Sequence, residues 1–293
     1  MVCAKVIRYK RMTIDGVSVF YREAGDPTCP TIVLLHGFPS SSHMYRDLIS
    51  LLAKDFHVIA PDYPGYGNSS MPLVTEFSYT FHHLSLIVEK LLHQLGVMRY
   101  ILYLQDYGGP IGFRIAVRNP HKIQGLIIQN AVAHEEGLGK PFDIFKALWA
   151  DRNSKTEAAF LELLTLDFTR TQYVTGVCNP FAISPDSYSM DQFFLDRPDN
   201  NQIQLELAYD YRKNVEQYPR WQHYLRTFQP PILITWGKND FIFTLQGAYA
   251  FTREVPSTET HFLCGGHFVL EEKAIKIATL IRHFGRRVGL IYG

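Results

Sequence analysis

Much is missing from this chain, and each absence removes a class of protein. No stretch of its 293 residues reaches the 18 or so consecutive apolar positions of a membrane-spanning helix, so none is expected. The basic segment Met1 to Arg11 leads into no apolar run, so no secretory leader is expected either. Neither sign of charge dominates: 29 Lys plus Arg stand against 28 Asp plus Glu, a formal net charge of +1. That balance argues against a nucleic-acid binder and against a polybasic membrane-surface protein. Cysteine is scarce, and Cys3, Cys29, Cys178 and Cys264 show no Cys-x-x-Cys spacing. Neither a metal site nor a disulfide framework is implied, and free thiols in a reducing cytoplasm are the expectation. There is no Gly-x-Ser-x-Gly, which disfavours an ordinary serine esterase, and no Gly-Lys-Ser/Thr ending of a phosphate loop.

What is present suits a large core. The 46% hydrophobic content excludes disorder, and the length fits about two domains or one domain with an insertion. Short β-branched and aromatic runs read as strands: Val17–Arg22, Thr31–Leu35, His57–Ala60, Tyr100–Leu104, Gly125–Ile128, Ile232–Thr235 and Glu259–Leu263. The run TIVLL is apolar throughout, as in a strand buried on both faces of a parallel sheet. Phe81, Leu84, Val88, Leu91, Leu92 and Leu95 recur at helical spacing, with Gly96 as the stop. A last helix is expected to carry Ile275, Ile277, Ala278, Leu280 and Ile281 on one apolar face. Strand–helix alternation lapses between about His134 and Trp221, which reads as an inserted, mostly helical cap. The whole is an α/β pattern, and in such sheets ligands bind beyond the carboxyl ends of the strands.

Those ends carry the informative residues. His36-Gly37-Phe38-Pro39 follows TIVLL, Asp62-Tyr63-Pro64-Gly65-Tyr66-Gly67 follows the next strand, and Gln105-Asp106-Tyr107-Gly108-Gly109 follows YILYL. Further on come Trp236-Gly237-Lys238-Asn239-Asp240 and Gly265-Gly266-His267. Strand–Gln-Asp-Tyr-Gly-Gly–helix has the layout of a nucleophile elbow with Asp106 at its tip, although Leu104 stands where the stricter form has glycine. Structural readings stand beside the chemical ones. Asp106 and Asp240 can be helix caps, and His267 is one of 12 histidines. Asn130, Glu135 and Glu136 offer alternative positions for an acid, while Asp62 and His36 read as loop braces.

The order Asp106, Asp240, His267 is the nucleophile–acid–histidine order of the α/β-hydrolase fold. The chain resembles that superfamily over nearly its whole length. The set HGFP, DYPGYG, QDYGG, WGKND and GGH is most similar to its branch of epoxide hydrolases and dehalogenases. The resemblance implies a mainly parallel eight-stranded sheet flanked by helices, with a core of residues 1–133 and 222–293 and a cap of residues 134–221. It also places an oxyanion hole at the backbone N–H groups of Phe38 and Tyr107.

The aspartate has a chemical reason. A carboxylate attacking saturated carbon makes an ester that water can later cleave, whereas serine would make an inert ether. In this scheme His267 activates the water and Asp240 orients it, with turnover rising around pH 6.5 if the histidine is unperturbed. No metal or organic cofactor is needed. The expected partners are water and a small hydrophobic organic substrate, in a monomer or homodimer. An epoxide needs an acid at its oxygen, and the resemblance points to cap tyrosines: Tyr211, in a Tyr-Arg pair, with Tyr173 and Tyr188 as candidates for a second. A haloalkane needs a halide cradle, for which Trp149 is the candidate; Tyr107 and Phe38 depart from the residues that dehalogenases carry there. A fluoroacetate dehalogenase would need arginines after its nucleophile, and the nearest is Arg114. A non-catalytic binding protein on the same fold is the reading from another class.

Overall fold

The centre of the sheet is built from strands whose composition leaves them no solvent face. The computed structural model describes residues 6–291; Cys3 and the first five residues of the basic N-terminal segment lie outside it. In chain order the first elements are β1 (Arg8–Ile14), β2 (Val17–Ala24), β3 (Thr31–Leu35), α1 (Arg46–Leu52), β4 (His57–Pro61), α2 (Phe81–Gln94), β5 (Tyr100–Gln105), α3 (Gly108–Arg118) and β6 (Ile123–Gln129). Six helices follow: α4 (Phe142–Ala150), α5 (Ser154–Leu161), α6 (Leu166–Val174), α7 (Pro185–Leu195), α8 (Asn200–Asp210) and α9 (Arg212–Phe228). The chain closes with β7 (Ile232–Gly237), α10 (Leu245–Glu254), β8 (Glu259–Leu263) and α11 (Leu270–Arg287).

The eight strands form one sheet in the order β1-β2-β4-β3-β5-β6-β7-β8. β1 and β2 run antiparallel to their neighbours, and the rest are parallel. Every residue of β3, β4, β5 and β7 is buried, because helices cover both faces. Along β3 the side chains alternate: Ile32 and Leu34 join the layer of α1 and α11, while Val33 and Leu35 join the layer of α2 and α3. Strand order reverses at β3, with β4 on one side and β5 on the other. The crevice beyond β3 and β5 is therefore the switch point where α/β sheets take ligands.

Helix α2 carries the expected face: Phe81, Leu84, Val88, Leu91 and Leu92 are buried, Thr80 caps the start, and Gly96 sits at φ +72°. Two readings change. The segment RYKRMTI is the edge strand β1, with only Ile14 fully buried, so it shows no apolar alternation for sequence to reveal. On α11, Ile275 is 74% exposed, while Ile277, Ala278, Leu280, Ile281 and Phe284 are buried. Two residues at about 3.6 per turn are roughly 200° apart, which turns Ile275 away from that face. Among the described residues no helix is long and apolar enough to cross a membrane.

Helices α4–α9 lie between β6 and β7 with no strand among them; we propose them as the cap, with α9 running on past Trp221 to Phe228. The expectation of free thiols fails at one pair. Cys178 and Cys264, 86 residues apart, form a disulfide with Cα atoms 6.0 Å apart. The loop after α6 folds onto the end of β8 and brings them together, a meeting that sequence spacing does not encode. Asn239 Nδ2 donates to Gly176 O (2.8 Å) in the same contact. The Gly265-Gly266 pair makes it possible, since a Cβ on Gly266 would lie 1.9 Å from Thr175 O.

Candidate active site

The tightest turn in the crevice is at the end of β5. Asp106 adopts φ +46°, a left-handed conformation unusual for a residue with a side chain. The turn is held from both sides: Asp106 N–H donates to Asn130 O (3.1 Å), and Gly109 N–H donates to Asp106 O (2.9 Å). A Cβ on Gly108 would sit 2.0 Å from Leu35 O, so glycine there lets α3 start against the end of β3. The strand–turn–helix geometry read from QDYGG is thus present.

The Asp106 carboxylate points into the crevice, with the residue only 5% exposed. Phe38 N–H donates to its Oδ1 at 2.6 Å, and the Tyr107 N–H also bonds the carboxylate. Burial pushes its pKa up to about 6 against the pull of His267 and these two amides, and Asp240 adds a further push upward. His36 braces the loop that carries Phe38. It stacks on Tyr63 with ring centroids 4.0 Å apart, and its Nδ1–H donates to Gly37 O at 3.0 Å. Burial lowers its pKa to about 3, so it stays neutral. Asp62 is a brace as well, accepting Ser42 N–H and Asn68 N–H at 2.7 Å each.

His267 lies within reach of Asp106's field, and its Nδ1–H donates to Asp240 Oδ2 at 2.9 Å. Asp240 is fixed by two more donors, Ile242 N–H on Oδ1 (2.8 Å) and Asn130 Nδ2 on Oδ2 (2.8 Å). On the other side of the ring, the Gln105 amide lies 3.1 Å from His267 Nε2. The Asp240 bond places a proton on Nδ1 and fixes the orientation of the ring. Burial lowers the His267 pKa, but the carboxylates of Asp240 and Asp106 outweigh it, so the net value lies above 6.5. The midpoint expected from an unperturbed imidazole therefore moves up.

The remaining positions sort clearly. Asp106, Asp240, His267, Phe38 and Tyr107 come together. Tyr211 is buried against the same spot, its ring 5.8 Å from Tyr107, 5.1 Å from Phe142 and 5.5 Å from Phe81. Its hydroxyl faces only the Tyr218 phenol as a polar neighbour, and the Tyr107 hydroxyl has no hydrogen-bond partner among the described residues. Burial raises the Tyr211 pKa, and the Tyr218 phenol and Asp106 charge raise it further. Tyr173 and Tyr188 lie elsewhere. Tyr173 stacks on Phe268 at 3.9 Å and donates to Asp191 Oδ2, and Tyr188 packs on Tyr173, so neither is a free donor at Asp106. Trp149 stacks on Tyr211, but its N–H donates to Ala208 O (2.8 Å), which removes it as a halide donor. Arg114 is buried and holds Asn214 Oδ1 at 2.6 Å. Glu136 pairs with Arg253.

Three residues of the site are not apparent from sequence reasoning. Tyr218 lies seven positions beyond Tyr211, two helical turns along the same face, and that spacing is its one signal. Gln105 and Gln172 carry no signal of their own. Gln172, Phe38, Asp106, Tyr107, Phe142 and Phe145 line a cavity of about 30 Å³. Ligand pockets usually run to roughly 300 Å³ or more, so aromatic rings must give way for a substrate to enter. A larger groove of about 750 Å³ lies at the other end of the sheet, beside Thr31, His57 and Gln124, away from this chemistry. No group of three or more His, Cys, Asp or Glu among the described residues is placed to hold a metal ion.

Comparison with known proteins agrees with this architecture. The α/β hydrolase fold family matches residues 30–274. An uncharacterized hydrolase of Saccharomyces cerevisiae is 38% identical over 280 residues, covering 93% of this chain and 95% of its own. The structure of the epoxide hydrolase CorEH is similar with TM-score 0.78 at 22% identity, over 97% of this chain and 100% of that one. Haloalkane dehalogenase DbeA from Bradyrhizobium elkani is similar with TM-score 0.78 at 22% identity, over 96% and 100%. At that identity the two structures speak to the fold alone.

Proposed function

Because the chain belongs to the α/β hydrolase fold family, we propose that it hydrolyses at an electrophilic saturated carbon through an ester on Asp106, and that its substrates are epoxides. The observation that carries the choice of epoxide is the pair of buried phenol hydroxyls of Tyr211 and Tyr218, near Asp106 and facing no group but each other. An opening epoxide develops charge on oxygen and needs a proton there, which a buried phenol can supply.

In the proposed cycle, Phe38 N–H holds Asp106 Oδ1 and leaves Oδ2 to attack the epoxide carbon. The C–O bond breaks as Tyr211 or Tyr218 protonates the leaving oxygen, giving a hydroxyalkyl ester. His267 Nε2 then takes a proton from water, which attacks the ester carbonyl carbon. The oxyanion forms at the oxygen bonded to Phe38 N–H, with the Tyr107 N–H as the proposed second donor, where each such donor contributes about 2.7–4 kcal/mol. On collapse the leaving alkoxide takes the proton held by His267, and the new carboxyl's proton returns to the phenolate, so that a vicinal diol leaves and carboxylate, histidine and phenol are all restored. Asp240, fixed by Asn130 and Ile242, keeps the imidazole in position.

Haloalkane hydrolysis is the second reading, supported by the free Tyr107 hydroxyl beside the nucleophile. One experiment separates them. A His267→Gln variant forms the ester and cannot cleave it. Incubation with small epoxides and haloalkanes, followed by intact mass and peptide mapping, should give an Asp106 adduct with the full mass of the epoxide. An adduct lacking the elements of hydrogen halide assigns a dehalogenase. Labelling by neither class overturns the Asp106 nucleophile and favours a non-catalytic binding protein.

A further inference from the structure

Helix α6 turns one face inward, carrying Thr169, Gln172 and Tyr173. Two of these polar groups are engaged. Thr169 Oγ1 donates to Gln192 Oε1 at 2.8 Å, and Tyr173 donates to Asp191. Gln192 Nε2 in turn donates to Leu164 O at 3.0 Å, which ties the start of α6 to α7. Tyr173 stacks on Phe268, the residue after His267, so α6 is pinned to the catalytic side of the core. Gln172 alone is left over. It is 1% exposed, its amide nitrogen has no partner among the described residues, and it lines the same cavity as Asp106.

A buried amide donor without a partner is costly, and native proteins seldom keep one without a use. The rest of that cavity wall is almost wholly apolar, with Phe142, Phe145, Leu163, Phe168 and Ile242 around it. No Lys or Arg lines it, so a carboxylate-bearing substrate has nothing to neutralise it. A neutral amide in such surroundings selects a neutral hydrogen-bond acceptor.

We propose that Gln172 is a specificity-determining residue whose amide binds an acceptor oxygen on the substrate's tail, so that the preferred substrates are epoxides carrying a neutral ether or carbonyl oxygen beyond the ring. This rests on the epoxide reading above. An oxygen on the tail satisfies the orphan donor and registers the ring carbon against Asp106 Oδ2. A hydrocarbon tail of equal length leaves the amide unpaired, and sites built around such a donor discriminate strongly against analogues that lack the acceptor.

The test compares ethyl glycidyl ether with 1,2-epoxyhexane, which have chains of six non-hydrogen atoms apart from the epoxide oxygen. The parent protein should show kcat/KM at least about tenfold higher for the ether. Gln172→Met keeps the length of the side chain and removes the amide. It should lose that preference, with the ether falling about tenfold or more and 1,2-epoxyhexane changing less than about threefold. Equal kcat/KM for the two substrates in the parent overturns the proposal without any variant. An equal fall on both in Gln172→Met overturns it too, by assigning the residue a merely structural role. In the His267→Gln background, labelling of Asp106 by both epoxides keeps the parent reading even where the preference is absent. Labelling by neither removes both.

Discussion

The two phenols offer the sharpest test of the chemistry, because replacing them by phenylalanine removes a proton and little else. The Tyr211 ring is fully buried and packs on Phe142 at 5.1 Å and Trp149 at 6.0 Å, contacts a Phe ring keeps. The Tyr211 and Tyr218 hydroxyls have no polar neighbour except each other. Folding stability should therefore change little in Tyr211→Phe/Tyr218→Phe, since the double variant removes both members of that contact and leaves no buried hydroxyl unpaired. Ester formation should fall steeply, because a positioned acid contributes roughly 10²–10⁴-fold. Either single variant retains one phenol and should lose about tenfold or less, so the two losses will not multiply to the double variant's. The assay is rapid-quench mass spectrometry in the His267→Gln background, where each molecule is alkylated once. A slowing of about 10³-fold with an epoxide is expected in the double variant. A bromoalkane, whose leaving bromide takes no proton, should be slowed far less. Alkylation by the epoxide at the parental rate in the double variant would refute the acid role and with it the argument for an epoxide.

Three further outcomes are expected from the geometry. With the Asp106 pKa pushed up to about 6, kcat/KM should lose its acid limb near that pH as the carboxylate takes a proton; a profile flat to about pH 4.5 contradicts an ionised Asp106 as nucleophile. The Asp240 carboxylate raises the His267 pKa against burial, so Asp240→Asn should lower it. NMR titration of His267 should show the midpoint moving to lower pH, and an upward move contradicts that role of the carboxylate. Gly266→Ala places a methyl 1.9 Å from Thr175 O, and overpacking of this kind costs about 1–3 kcal/mol. Thermal unfolding should occur at a lower temperature than in the parent, and an unchanged midpoint would mean the loop on that turn is not held there.

How far the sequence carries depends on where the relevant force is local. Strands such as TIVLL and ILIT are legible because burial on both faces leaves them apolar throughout. Strand β1 is not, because an edge strand is stabilised by pairing with Val17–Ala24 rather than by its own composition. Asp106, Asp240 and His267 stand out in the sequence because each lies just past a strand, and a sheet brings strand ends together regardless of their distance along the chain. The support around them is not legible in that way. Asn130, a weak candidate for the acid by position, instead bonds Asp240 Oδ2 and accepts Gly237 N–H at 2.8 Å. The proposed cap is the least legible part: Trp149, Tyr173 and Tyr188 are candidates by residue type alone, and their polar atoms or positions are committed to packing among helices. The Cys178–Cys264 bridge is equally hidden, because it depends on where a cap loop lands.

The charge on Asp106 couples the two steps of the proposed cycle. Burial makes the carboxylate more basic than an exposed aspartate, which favours attack on carbon, while two amides and the nearby histidine keep it ionised at neutral pH. That same negative charge helps to hold the His267 pKa up, which shifts the imidazole toward its protonated form before any ester exists. Alkylation consumes the charge. With Asp106 converted to a neutral ester, only Asp240 still raises the histidine pKa, and burial pulls it down against one carboxylate instead of two. In the proposed cycle the free base is therefore favoured more once there is an ester for its water to attack. Hydrolysis then returns the carboxylate and resets the histidine. A serine nucleophile, neutral at rest, would not couple the steps in this way, so in the proposed cycle the aspartate at the elbow serves the timing of the second step as well as the chemistry of the first.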